Sequence, residues 1–112
     1  MADSSWQNLW SGIKPATDEI QGICSVLKSY VEDETKKAYR EFRAIEYCEQ
    51  LEGEKDCIVR VYVAEEKLID LWICKLFLKN IPNGSRQVVF ELKTLLENRT
   101  LDDMLQPPQN LN

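Results

Sequence analysis

The chain contains no histidine among its 112 residues. This absence removes imidazole as a general base, as the partner of a serine or cysteine nucleophile, and as a metal ligand. Neither a pair of carboxylates placed for acid–base work nor a glycine-rich phosphate loop is visible in its place. We therefore expect a protein that is not an enzyme and that needs neither a cofactor nor a metal.

Long apolar runs and an excess of positive charge are also absent. No segment approaches the roughly 20 apolar residues of a membrane span, and residues 1–6 lack the basic and apolar parts of a signal peptide. Lysine and arginine total 14 against 19 acidic residues, a net charge of −5. Nucleic acid binding requires a cationic face. We expect no nucleic-acid partner, no membrane partner and a cytoplasmic location.

The few cysteines do not form a metal or redox motif. No two cysteines have the C-x-x-C spacing; they stand at Cys24, Cys48, Cys57 and Cys74. A zinc site or redox dithiol is therefore not indicated. Cys48 and Cys57 flank a predicted hairpin loop symmetrically, and a disulfide between them is geometrically conceivable. The favoured alternative is two buried thiols in a reducing compartment, with Cys24 in the core.

An N-terminal leader, residues 1–13, precedes a helix with clear start signals. Pro15 disfavours helix at Lys14. Thr17 can cap the first turn, and Asp18 and Glu19 suit its positive end. Apolar residues then recur at helical spacing and predict a helix at about residues 18–36. The predicted buried face is Ile20, Ile23, Cys24, Leu27, Tyr30 and Val31.

After residue 39 the pattern is that of strands. We predict strands at about 40–50, 57–63, 68–78 and 87–95, joined by hairpin loops. In the first strand, Ala44 and Cys48 alternate with Tyr47 and Glu49. The predicted fold is α+β, with one long helix wrapped by a four- to five-stranded antiparallel sheet, the leader giving the fifth strand. A partly solvated second face accounts for strand charges such as Arg60. We divide the chain into leader 1–13, domain 14–98 and tail 99–112.

Four segments resemble the stefins, the unsecreted single-domain cystatins. Residues 14–21 read Lys-Pro-Ala-Thr-x-Glu-Ile-Gln, as the stefins begin, and residues 44–50 read Ala-Ile-x-Tyr-x-x-Gln, as in their strand before the first loop. Residues 59–61, Val-Arg-Val, resemble the strand that follows, and residues 81–82, Ile-Pro, resemble the Leu-Pro of their second loop. The resemblance covers roughly residues 14–92.

This resemblance implies a cystatin-like fold and a reversible inhibitor of papain-like, cathepsin-type cysteine proteases. Such inhibitors occlude the active-site cleft with an N-terminal trunk containing a glycine, a first hairpin loop of the form Gln-x-Val-x-Gly, and a second hairpin loop. Glu52 stands here in place of the valine, and Glu54 in place of the glycine, unless Gly53 takes the role of that glycine in a loop of slightly different register. The implied protease-binding residues are Gln50, Leu51, Glu52, Gly53, Glu54, Ile81 and Pro82, with Gly12 in the trunk.

Several alternatives stay open at this point. The chain can be a non-inhibitory binding module of cystatin fold, in which residues 50–54 form only a solvated hairpin. Trp6 and Trp10 can anchor the trunk in a protease cleft. Alternatively, they pack on the protein's own sheet or form one amphipathic turn, and we favour this second interpretation. We expect a monomer, although the long loop between the helix–strand half and the rest also allows a domain-swapped dimer.

Overall fold

The computed structural model describes residues 9–52, 56–78 and 87–105. The strands are β1 (Lys14–Pro15), β2 (Arg43–Glu49), β3 (Cys57–Tyr62), β4 (Leu68–Leu78) and β5 (Gln87–Arg99), and helix α1 (Asp18–Thr35) lies between β1 and β2. The strands form an antiparallel sheet in the order β1-β2-β3-β4-β5. The predicted α+β fold is confirmed, but the fifth strand, β1, follows the leader directly and does not lie within residues 1–13.

Helix α1 begins and ends at local signals. The backbone N–H of Ile20 donates to Thr17 Oγ1 at 3.2 Å, which confirms the predicted cap. Lys36 ends the helix in the left-handed conformation, with φ of 58°. The predicted buried face is confirmed except at Tyr30, which is 62% exposed because it lies at the margin of the apolar stripe. Within the described ranges, no helix is both long and apolar enough to cross a membrane.

The main core lies between α1 and one face of the sheet. Cys24, Leu27 and Val31 of the helix are fully buried there, in one cluster with residues of β2, β3 and β4. Burial of a large aliphatic side chain contributes about 1.5–3 kcal/mol. The strand residues of this core that are fully buried are Val59, Val61, Leu71 and Ile73. These contacts fix the sheet around the helix.

A β-bulge in β2 changes the predicted alternation. The pairing with β3 shifts between Ala44 and Glu46, so Ile45 is the extra residue. Ala44 and Tyr47 therefore both pack on the main core, whereas Cys48 lies on the other face. The prediction that Ala44 and Cys48 share a face is wrong for this reason. Gln21 of the helix stabilises the irregular segment, because its side chain accepts from Ala44 N at 2.8 Å.

The other face of the sheet is covered rather than solvated where Arg60 lies. The guanidinium of Arg60 is fully buried and donates two hydrogen bonds to Asp70, at 2.8 and 3.0 Å. It also donates to Glu46 Oε2 at 3.2 Å and to the backbone oxygen of Asp103 at 2.9 Å. The expectation that this face leaves Arg60 in solvent is wrong, because the segment after β5 folds back over it.

The same face carries a second, smaller core. Trp10, Cys48, Ile58 and Leu105 are buried in it, and Trp72 packs against them. Its members come from the leader, from three strands and from the segment after β5. Residues outside 14–98 thus contribute to the packing, while the division of the chain at 13/14 and 98/99 stays a prediction.

The four cysteines are free. Cys48 pairs with Ile58 and Glu49 with Cys57 in the β2–β3 ladder, so Cys48 and Cys57 are offset by one residue. Because a one-residue offset puts side chains on opposite faces, Cys57 lies in the main core and Cys48 in the second core. The disulfide alternative is therefore wrong. The burial of both thiols and the core position of Cys24 are confirmed, while the reducing compartment stays a prediction.

Candidate functional site

The leader runs antiparallel to the end of β2, beside the first hairpin loop. Ser11 N donates to Glu49 O and Leu51 N donates to Leu9 O, each at 2.8 Å. The Ser11 hydroxyl oxygen accepts from Glu49 N at 3.1 Å. Lys14 Nζ lies 2.7 Å from the Glu49 carboxylate, and this contact raises the pKa of Lys14. The sheet edge therefore continues from β1 to the loop through hydrogen-bonded leader backbone.

Two exposed leucines are joined by a backbone hydrogen bond where the leader reaches the loop. Leu9 is 51% exposed and Leu51 is 53% exposed, and the backbone bond between them holds the two residues side by side. We call this pair the apolar tip. Covering exposed apolar groups with a partner lowers the free energy and so favours binding. Glu52 follows directly and is also exposed, so a carboxylate borders the tip.

The base of the first loop is closed by reciprocal hydrogen bonds between Gln50 and Asp56. Gln50 N donates to Asp56 O at 2.9 Å, and Asp56 N donates to the side-chain oxygen of Gln50 at 3.0 Å. Gln50, which the resemblance implies to bind a protease, therefore bonds within the chain. Its amide group fixes the distance between the two arms of the loop. The arrangement orders the base of the loop before any partner arrives.

Asp56 is a buried carboxylate beneath this loop. Its Oδ2 accepts from the indole N–H of Trp72 at 3.1 Å and lies 3.9 Å from Lys93 Nζ. Lys93 also lies over the Trp72 ring, with Nζ 4.4 Å from the centroid. Sequence reasoning missed both Asp56 and Leu9. An acidic residue after a polar loop is usually solvated, and a leader leucine alone gives no sign of its neighbour in space.

The structure brings together only part of the residue set that the resemblance implies. Gln50, Leu51 and Glu52 lie beside the leader in the first loop. Gly12 is exposed on the leader, and a Cβ added there would meet nothing within 4 Å, so the backbone sets no steric requirement for glycine. Gly53, Glu54, Ile81 and Pro82 lie outside the described residues, as does Trp6. Trp10 packs on the protein's own sheet, which confirms the favoured alternative for it.

The leader and the first loop together form a surface suited to binding a partner rather than to catalysis. The site presents apolar side chains and ordered backbone. In the described part of the chain, no group of three or more potential ligands could hold a metal ion.

Comparisons with known proteins place the chain in a family. No family model matches it. Cystatin-A1 of Sus scrofa is 33% identical over 92 residues, covering 82% of this chain and 84% of the relative. Cystatin-A of Bos taurus is likewise 33% identical over 92 residues, covering 82% and 88%. Cystatin-B of Bos taurus is 28% identical over 78 residues, covering 70% and 76%. The chain therefore belongs to the cystatin family, in its type 1 or stefin branch, a group of cysteine protease inhibitors and not of enzymes.

Proposed function

We propose that this protein is a reversible inhibitor of papain-like, cathepsin-type cysteine proteases, acting by occlusion of the active-site cleft. The leader and the first hairpin loop enter the cleft together, and the second loop, with Ile81 and Pro82, is the third contact. The observation that carries the proposal is the 2.8 Å bond from Leu51 N to Leu9 O, which joins leader and loop in one apolar tip. The named relatives support it at the level of the family.

Order in the free protein favours this function. The ordering of loops and side chains on binding costs free energy and weakens association. The Gln50–Asp56 bonds and the Leu51–Leu9 bond already order the base of the loop and the leader. Each half-exposed leucine of the tip then contributes about 1 kcal/mol when the cleft covers it. A preformed apolar tip is what a rigid wedge requires.

Glu52 works against tight inhibition and favours a second candidate function. Burial of an unpaired carboxylate costs several kcal/mol, more than the tip leucines contribute. Inhibition therefore needs Glu52 at the rim of the cleft, in solvent or beside a basic group. If the cleft instead buries this carboxylate, the protein is a non-inhibitory cystatin-fold module that binds another partner.

The first test is a titration of the purified protein into a papain-like protease, followed by hydrolysis of a fluorogenic peptide. We expect stoichiometric or nanomolar inhibition. Leu51→Asp should weaken it by about a hundredfold or more, because it puts a carboxylate at the tip. Leu101→Asp is the matched control, since Leu101 is 66% exposed in the turn after β5, and inhibition should not change.

The outcome also separates the two candidates. A folded sample that leaves several papain-like proteases active at about ten micromolar or more, a concentration at which specific interfaces form, contradicts inhibition. The inhibitory potency of the double variant Glu52→Val, Glu54→Gly then separates the two candidate functions. An inhibitor limited by its loop gains potency by orders of magnitude, whereas a module with a different binding surface gains nothing.

Location and assembly belong to the same proposal. We propose a cytoplasmic monomer, in keeping with four free cysteines. Size-exclusion chromatography before and after warming tests the assembly, and a second peak at twice the monomer mass would instead indicate the domain-swapped dimer.

A further inference from the structure

We propose that Trp10 is a positioning residue that fixes the leader beside the first hairpin loop, so that Leu9 and Leu51 form a single apolar tip. The consequence for inhibition rests on the proposed function above. The placement of the leader does not, and it can be measured in the free protein.

The Trp10 side chain is held in the second core. It is 9% exposed and meets the Trp72 ring edge to face, with centroids 6.1 Å apart and planes at 77°. Such aromatic pairs contribute beyond the area that they bury. Cys48, Ile58 and Leu105 complete the buried cluster. The indole is thus anchored on the domain and is not part of the surface that a protease would meet.

The backbone on both sides of Trp10 carries the leader to the loop. Trp10 itself forms a bridge with Gln50, and the bonds from Ser11 N to Glu49 O and from Leu51 N to Leu9 O lie on either side of it. A buried ring at the centre of this short ladder fixes its register. Two backbone bonds with no buried side chain between them would otherwise open readily.

The anchor is connected to the loop as well as to the leader. Trp72, on which Trp10 packs, donates its indole N–H to Asp56. Asp56 in turn exchanges hydrogen bonds with Gln50, the residue before Leu51. One continuous set of contacts therefore runs from Trp10 to the base of the first loop. Leader and loop are positioned by the same buried groups.

Trp10 belongs to the second core and not to the main core. The main core between α1 and the sheet includes no residue of the described part of the leader, 9–13. Loss of the Trp10 ring should therefore release the leader while α1 and β2–β5 stay packed. This separation allows the positioning role to be tested without unfolding the protein.

Hydrogen exchange of the Leu51 amide tests the placement directly. We expect exchange about tenfold faster or more in Trp10→Ala, because the Leu51–Leu9 bond opens locally. The amides of Val59 and Leu71, in the main core, should keep their protection. Trp10→Phe should restore most of the Leu51 protection, since it keeps an aromatic ring against Trp72. Unchanged protection of Leu51 in Trp10→Ala overturns the proposal.

A double-mutant cycle on inhibition tests the functional consequence. Leu9→Ala should weaken inhibition about fivefold in the wild-type chain and less than about twofold in Trp10→Ala, because a released Leu9 no longer adds to the tip. Additive effects of the two changes overturn a positioning role in inhibition. If the wild-type protein does not inhibit, the proposed function fails, and the exchange of Leu51 alone decides the role of Trp10.

Discussion

Arg60 is a charged side chain in the middle of β3 with no exposure to solvent. Its position is tolerated because Asp70, Glu46 and the backbone of Asp103 receive its N–H groups. Arg99 also donates to Asp70, at 2.9 Å. A buried pair of this kind is weak evidence of stability by itself. Removal of one member of the pair is strongly destabilising, because the remaining charges stay buried without a partner.

Replacement of Arg60 by alanine should lower the free energy of unfolding by about 3–5 kcal/mol, since Glu46 and Asp70 lose a partner and a cavity forms. Urea unfolding followed by circular dichroism measures the change. Arg43→Ala is the matched control: Arg43 is exposed and stacks on Tyr62 at 5.3 Å, a contact that contributes about 0.5–1 kcal/mol. Similar losses for the two variants would contradict the importance of burial.

The thiols should differ in reactivity according to burial. Burial raises the pKa of Cys24 and of Cys57 to about 12 and that of Cys48 to about 11. The thiolate is the reactive form, so these three should react slowly with a thiol reagent near neutral pH. Cys74 is only partly buried and should react first. Cys74→Ser should remove the fast phase, and a fast phase that persists in it contradicts this order.

The same pKa shifts predict a loss of stability in alkali. The folded chain keeps its thiol protons to a pKa of about 11–12, above the ordinary value of 9.0. More protons are bound in the folded than in the unfolded chain between these limits, so the stabilisation is complete below pH 9 and is lost as the pH rises toward 12. The thermal midpoint should fall above pH 9, and less steeply in Cys24→Ala. An equal slope in that variant contradicts the assignment.

At the scale of elements, the turn between β3 and β4 stores strain. Ala64, Glu65 and Glu66 have φ of 92°, 57° and 61°, a region that favours glycine or asparagine. Lys67 N donates to Ala64 O at 3.1 Å, so Glu65 and Glu66 are the central residues of a tight hairpin turn. Such turns prefer Asn-Gly at these positions. The strand pairing on both sides holds the glutamates there.

Glu65→Asn with Glu66→Gly should raise the free energy of unfolding by about 1–2 kcal/mol, because the left-handed conformation is less costly for these residues. The measurement is the shift of the urea midpoint. Glu34→Gly is the control of opposite sign: Glu34 lies in α1, and glycine in a helix lowers stability by about 1 kcal/mol. A midpoint that does not rise in the turn variant would show that the strain is relieved elsewhere.

What the sequence could predict follows the range of the interactions. The helix start was predictable because Thr17 and Asp18 act locally. The start of β4 was predictable because the turn before it is local. The bulge at Ile45 was not, because it depends on Gln21 of the helix. In the site, Leu51 was indicated by resemblance alone. Its contact with Leu9 joins positions 42 residues apart, which no local pattern specifies.

At the scale of the whole molecule, both ends of the described chain meet on one face of the sheet. Leu105, in the segment after β5, is buried in the second core with Trp10 of the leader. Its backbone oxygen accepts from Cys48 Sγ at 3.5 Å. Arg99 donates to the backbone of Met104 at 3.1 Å, and Arg60 to that of Asp103. The buried ion pairs thus hold the segment that completes the surroundings of Trp10.

A change at Leu105 should therefore be felt at the leader, far away in sequence. Leu105→Ala should lower the free energy of unfolding by about 2 kcal/mol, near the lower limit for a buried leucine because the second core is small and can partly close over the cavity. It should also speed exchange of the Leu51 amide, in the same direction as Trp10→Ala. Leu101→Ala is the matched control, since Leu101 lies in the same segment and is largely exposed. Loss of stability with unchanged Leu51 exchange would mean that the two ends pack together without positioning one another.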